Sequence, residues 1–110
     1  MGRKSGQLVL LVSTCPDSAS ARLLAEEILA KELAACVQID GPVQSHYIWD
    51  GAVESAEEWR IHIKTSESKL SVLEKCIISL HPYEIPQIIR IPISANESYQ
   101  QWVHSVLPTD

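Results

Sequence analysis

The densest run of chemically capable side chains is His81-Pro82-Tyr83-Glu84-Ile85-Pro86, which presents an imidazole, a phenol and a carboxylate from one short segment. Two prolines stiffen that segment and restrain the side chains between them. His81 and Glu84 are donors that suit a divalent cation of borderline softness, and a thiolate from Cys36 or Cys76 would extend the set. The spacing supplies no local ligand pair. The four histidines, at 46, 62, 81 and 104, form no HxH or HxxxH, and the cysteines, at 15, 36 and 76, form no CxxC. A metal centre must therefore be assembled from remote segments or from two subunits. Cys15, before Pro16 at a strand-to-helix turn, is the cysteine expected to be accessible, with a helix N-terminus lowering its pKa, or else a buried turn residue. Cys36 and Cys76 are expected as small core residues. Cys15 with His81 is the one pair a nucleophilic mechanism would use, and no nucleophile elbow or ordered Ser/His/Asp set accompanies it. No enzymatic activity is expected. The loop also has a plainer account, in which Pro82 stops a helix, Tyr83 packs, and His81 faces the negative end of the helix dipole.

A second constellation comes from a hairpin. Asp50-Gly51, between Trp49 and Ala52, suits a two-residue type I′ turn, which needs positive φ at both positions. If the register runs back without a slip, Tyr47 and Trp49 share a face with Glu58, Arg60, His62 and Lys64. Rings beside opposed charges would bind a small polar ligand; a solvated strand face or an intersubunit salt-bridge seam fits the same pattern.

The elements that must position these groups alternate along the chain. Gln7–Thr14 is an apolar, Val-containing run that reads as a buried strand, and Asp17 or Ser18 caps the helix after it. Ala21, Leu24, Ala25, Ile28, Leu29 and Leu33 recur at helical spacing. Val37 and Ile39 open a second strand, interrupted at Asp40-Gly41-Pro42 by a bend or bulge and resumed through Trp49. The returning strand covers 53–65, with Trp59, Ile61 and Ile63 alternating against polar residues. Leu70, Leu73, Cys76, Ile77 and Leu80 mark a second helix, and Gln87–Ile93 a last strand. Asn96 caps a terminal helix with Tyr99, Trp102, Val103, Val106 and Leu107 as its buried stripe. The order β-α-β-β-α-β-α predicts an α+β, ferredoxin-like fold with an extra C-terminal helix, an antiparallel sheet and a long projecting hairpin. Both inner helices then lie on one sheet face, and the apolar residues of the other face call for self-association.

Composition bounds the function. The 110 residues are 45% hydrophobic and carry 9 Lys+Arg against 14 Asp+Glu, a net charge of −5. That is too apolar for disorder and has the wrong sign for a surface that tracks phosphates, so no nucleic-acid partner is expected. Leu8–Val12 is too short for a signal core or a membrane span, and three separated cysteines make no disulfide framework. The expectation is a short N-terminal tail at 1–7, one domain at 8–107, free thiols in a reducing cytoplasm, and no membrane partner.

Six motifs occur together: Thr14-Cys15-Pro16, Lys31–Val37 (KELAACV), Ser45-x-Tyr47-x-Trp49-x-Gly51, Ile63-Lys64-Thr65, His81-Pro82-Tyr83-Glu84-x-Pro86 and Tyr99-x-x-Trp102. In order and spacing, from about Leu8 to Leu107, the chain resembles the CutA divalent-cation tolerance proteins. The resemblance implies a ferredoxin-like fold related to the PII signalling proteins and a homotrimer whose hairpins reach across neighbouring subunits. It also implies a role in tolerance to copper and other divalent cations, with no required cofactor. In some bacterial members a Cys at the place of Ser13 and a His at the place of Leu80 join the proposed copper site, and Gln87 stands where Glu is usual. A residual metal site here would use His81 with Cys15 or Glu84. The kinship to PII implies an alternative, a ligand cleft between subunits lined by Trp49, Glu58, Lys64 and Tyr83.

Overall fold

A computed structural model describes residues 6–108; of the expected 1–7 tail, residues 1–5 lie outside this range. The elements are β1 (Leu8–Cys15), α1 (Ser18–Ala30), β2 (Cys36–Trp49), β3 (Ala52–Ser66), α2 (Leu70–Leu80), β4 (Ile89–Ile93) and α3 (Glu97–Val106). The four strands form one antiparallel sheet in the order β2-β3-β1-β4. This is the expected α+β architecture.

One sheet face carries the core. Leu11, Ile61 and Ile63 project from β1 and β3 onto α1 and α2, where Leu24, Ile28, Leu73 and Ile77 meet them, each at most 1% exposed. Burying each of these side chains contributes about 1.5–3 kcal/mol before the entropy cost of ordering it. Asp17 opens α1 with an extended backbone, and its Oδ1 accepts the Ser20 N–H at 2.7 Å. That bond is the main reason its carboxyl sits below the usual range. The helix stops at Ala30, short of the expected Leu33. Glu32 turns left-handed (φ 55°), and the Leu33 N–H returns to the Ile28 carbonyl at 3.0 Å. Leu33 is thus buried from the turn, while Leu29 is 42% exposed.

Strand pairing on the opposite face sets Leu10 against Lys64 and Ile91, and Val12 against His62 and Ile89. The expectation of an uncovered face holds only in part, because α3 closes one end of it. Leu8, Val103 and Leu107 cluster there with Tyr99 and Ile93. The predicted stripe of α3 is narrower than expected, since Trp102 and Val106 remain exposed. Asn96 precedes α3 but makes no side-chain capping bond.

The hairpin is the long element. Asp50 (φ 53°) and Gly51 (φ 80°) both take positive φ, as the type I′ turn requires, and Trp49 pairs with Ala52. An extra residue in β2 shifts the register between Asp40 and Val43. Its odd-numbered residues beyond the bulge thereby share a face with the even-numbered residues of β3. β1 ends where Cys15 pairs with Trp59, so the rest of the hairpin projects as a two-stranded arm and the molecule measures 52 × 23 × 21 Å.

Candidate functional site

The end of β1, the root of the arm and the loop after α2 meet at one place. Pro82 cannot continue α2, so His81 becomes its C-cap and donates its N–H to the Ile77 carbonyl at 2.8 Å. The His81 ring turns toward the end of β1. Its Nδ1 lies 3.0 Å from the Tyr83 backbone N–H, which can only donate, and its Nε2 lies 2.7 Å from the Thr14 carbonyl, which can only accept. These partners fix the imidazole as the Nε2–H tautomer with both nitrogens engaged. The Tyr83 ring rests against it, centroids 4.9 Å apart, and the Tyr83 hydroxyl donates to Glu58 Oε2 at 2.7 Å. Burial, and then Glu58 beside it, push the Tyr83 phenol well above its ordinary range, so it keeps its proton and remains the donor.

Cys15 is fully buried, its Sγ 3.9 Å from His81 Nε2. Of the two expectations for this thiol, the accessible and acidified one is corrected and the buried turn residue holds. Burial pushes its pKa up to about 11, with Asp17 and Glu58 adding to the rise, and outweighs any influence of the nearby helix start. Glu84, the third expected metal donor, is exposed and lies apart from that pair, on the wall of a cleft. Among the described residues, no group of three or more His, Cys, Asp or Glu side chains is placed to hold a metal ion.

The cleft occupies about 530 Å³ and runs from the root of the arm along its face. Tyr47, Trp49 and Glu58 reach it from the arm, and Tyr83, Glu84 and Gln87 from the loop. Three of the four expected ligand residues, Trp49, Glu58 and Tyr83, therefore line one space. Lys64 does not. It lies six residues along β3 from Glu58, about 20 Å at the strand rise, with its Nζ over the Tyr99 ring at 5.5 Å. Alternation placed both residues on one face of β3, but alternation carries no information about distance along the strand. Nor does it foretell that Glu58 is buried, because the cover is the 81–87 loop folding in from elsewhere. Tyr47 is marked by its place on the arm face, whereas Thr14 and Ser45, also at the cleft wall, are marked only by their places in two of the six motifs. Arg60 and His62, the other polar members of that face, turn instead to Asp40 at 2.8 and 3.1 Å. The Arg60 bond is the leading reason the Asp40 carboxyl sits below its usual range.

A four-stranded antiparallel sheet with two helices on one face and a projecting arm defines a protein of the ferredoxin-like kind by shape; comparison with known proteins gives the family. Residues 9–106 match the family described as CutA1 divalent ion tolerance protein, and the chain belongs to that family. It is 37% identical over 105 residues to the Xenopus laevis protein CutA homolog, covering 94% of this chain and 70% of that one. It is 34% identical over 100 residues to an Escherichia coli divalent-cation tolerance protein CutA, covering 90% and 89%. The chain spans only 60% of the length of the mouse protein CutA. The crystal structure of CutA1 from Oryza sativa superposes with a TM-score of 0.92 at 31% identity, covering 96% of this chain and 98% of that one. No helix among the described residues is long and apolar enough to cross a membrane.

Proposed function

We propose that this chain is a self-associating, non-enzymatic divalent-cation tolerance protein that binds divalent metal ions, copper among them, weakly. The family match over residues 9–106 is the observation that carries this reading. The geometry supports weak rather than tight binding. His81 must give up Thr14 or Tyr83 before a ring nitrogen can meet a metal, and Cys15 must lose a proton that burial retains. Titrating copper and zinc into the reduced protein tests it, with His81→Ala as control. Weak binding that falls further in the variant is expected, and unchanged affinity would remove His81 from the site.

Self-association as a trimer is supported by apolar residues left in the open, with Ile48 and Val53 on the arm 76% and 81% exposed, and Ile89 and Ile91 on the sheet 47% and 41%. Sedimentation at low micromolar concentration should give three times the 12.2 kDa chain mass; a monomer would overturn this. A cytoplasmic location fits three cysteines that are all free.

A second reading is favoured by the cleft itself, which brings Trp49, Glu58 and Tyr83 to one space of ligand size. In it the chain is a small-ligand sensor. A metabolite screen by thermal shift should return a saturable rise in midpoint, and flat responses throughout would end this second reading.

A further inference from the structure

The walls of the cleft are chemically one-sided. Tyr47, Trp49 and Tyr83 contribute rings, Glu58 and Glu84 contribute carboxylates, and His46 is the single basic residue among the lining residues, which include no Lys or Arg. Glu58 is the informative member, because it is more than nine-tenths buried. A carboxylate withdrawn from water needs a compensating charge or a full set of donors. Among the described residues, the hydrogen-bonding side-chain partner of Glu58 is the neutral Tyr83 hydroxyl, on Oε2. Among the described residues, the ion pairs Lys31–Glu27, Arg60–Asp40, His62–Asp40 and Arg90–Glu74 all leave it out. The nearest basic residue along its strand face, Arg60, is already committed to Asp40 at 2.8 Å.

Resting on the small-ligand reading of the cleft, we propose that its occupant is a small organic ammonium ion, its charged head on Glu58 and its alkyl body against Tyr47 and Tyr83. Each part of the wall selects for that chemistry. The Tyr83 hydroxyl holds one carboxylate oxygen and leaves the other to accept from an N–H donor. Ring faces attract a weakly hydrated cation through their quadrupoles and cover its methylene groups. A divalent metal ion gains nothing from them, since it requires several oxygen or nitrogen donors and gives up its water reluctantly. An anionic metabolite meets two carboxylates and is repelled. The volume of about 530 Å³ accepts a chain of several carbons with room for a second polar group near Glu84 at the exposed wall.

Calorimetric titration of the intact protein in its native oligomeric state tests this with n-butylamine and 1,4-diaminobutane, against n-butanol and butyrate as neutral and anionic counterparts. Saturable binding by the amines and not by butanol or butyrate is expected. Affinity should fall at least about tenfold in Glu58→Gln and about threefold to tenfold in Tyr47→Ala, a change on the exposed arm that leaves the core intact. Binding of butyrate or butanol with the same dependence on Tyr47 would overturn the ammonium assignment while keeping the ligand cleft. Binding of zinc or copper, but no amine, with dependence on Glu58 would overturn it in favour of a metal. Silence from every probe in a wild-type oligomer that Glu58→Gln dissociates would show that a basic side chain of a neighbouring copy fills the space. Silence with an unaltered oligomer would end both the assignment and the cleft reading.

Discussion

The two ends of the sheet are built from similar residues and held in different ways. Over β1, the strands pack Leu11, Ile61 and Ile63 against two helices, and every one of those side chains is out of water. Beyond Cys15 the same β2–β3 ladder continues without a helix beneath it, and Ile48 and Val53 are mostly exposed. The first region supplies its own burial. The second has strand pairing, a well-matched turn and a single buried attachment through Glu58 and Tyr83. A β-ribbon of two strands is marginal alone in water, so its apolar surface calls for another surface to cover it.

Four measurements would break or sharpen that contrast. Ile61→Ala should cost the most, about 2–5 kcal/mol in denaturant unfolding, because the site is fully enclosed and cannot collapse cheaply. A loss below 1 kcal/mol would mean that the helix-backed half is not the stability-bearing half. Next comes Cys15. Its folded pKa, about 11, lies above the 9.0 ordinary for a cysteine, so the folded protein holds the proton more tightly than the unfolded chain. Its contribution is therefore complete below pH 9 and is lost as pH rises toward 11. Relative to Cys15→Ala, the wild type should lose about 2–3 kcal/mol of stability across that window. Parallel curves for the two proteins would show that the thiol is not sequestered.

At the root of the arm, Gly41→Ala should cost about 1–3 kcal/mol. A Cβ there would stand 2.9 Å from the Trp59 ring and 3.1 Å from the Glu58 carbonyl, at a φ of 151° that side chains rarely adopt. An unchanged midpoint would mean that the bulge relaxes freely. Smallest is the effect of Val53→Ser on the arm, within about 0.5 kcal/mol for unfolding of the single chain. The same change should weaken self-association, measured by sedimentation. If it destabilised the isolated chain as much as the core variant does, the arm would not be the dependent region described here.

Much of this was legible beforehand, for identifiable reasons. Asp50-Gly51 specified the turn because few residue pairs accept positive φ twice, and Asp40-Gly41-Pro42 marked the bulge because proline cannot donate to a ladder. Alternation gave the core residues of β3. It failed where burial comes from a distant segment. Glu58 has the sequence context of Arg60 and His62, yet only Glu58 lies under the loop led by His81. Cys15 failed similarly, since the ring that helps to enclose it is 66 residues away. Trp102 and Val106 fit a helical stripe, but α3 covers only one end of the sheet and buries only part of it.

The inserted residue at the root of the arm also has a mechanical meaning. From Val43 to the turn at Asp50 the arm is a lever of about 25 Å, so a rotation of about 5° at its base moves the tip by about 2 Å. Rigidity at the fulcrum, rather than along the beam, decides where the tip points. The Tyr83 hydroxyl grips β3 at Glu58, immediately beyond that fulcrum, while its own backbone is tied through His81 to the end of β1. One phenol thus braces the arm against the sheet, and the aim of the whole projection is set by a bond at its shortest radius.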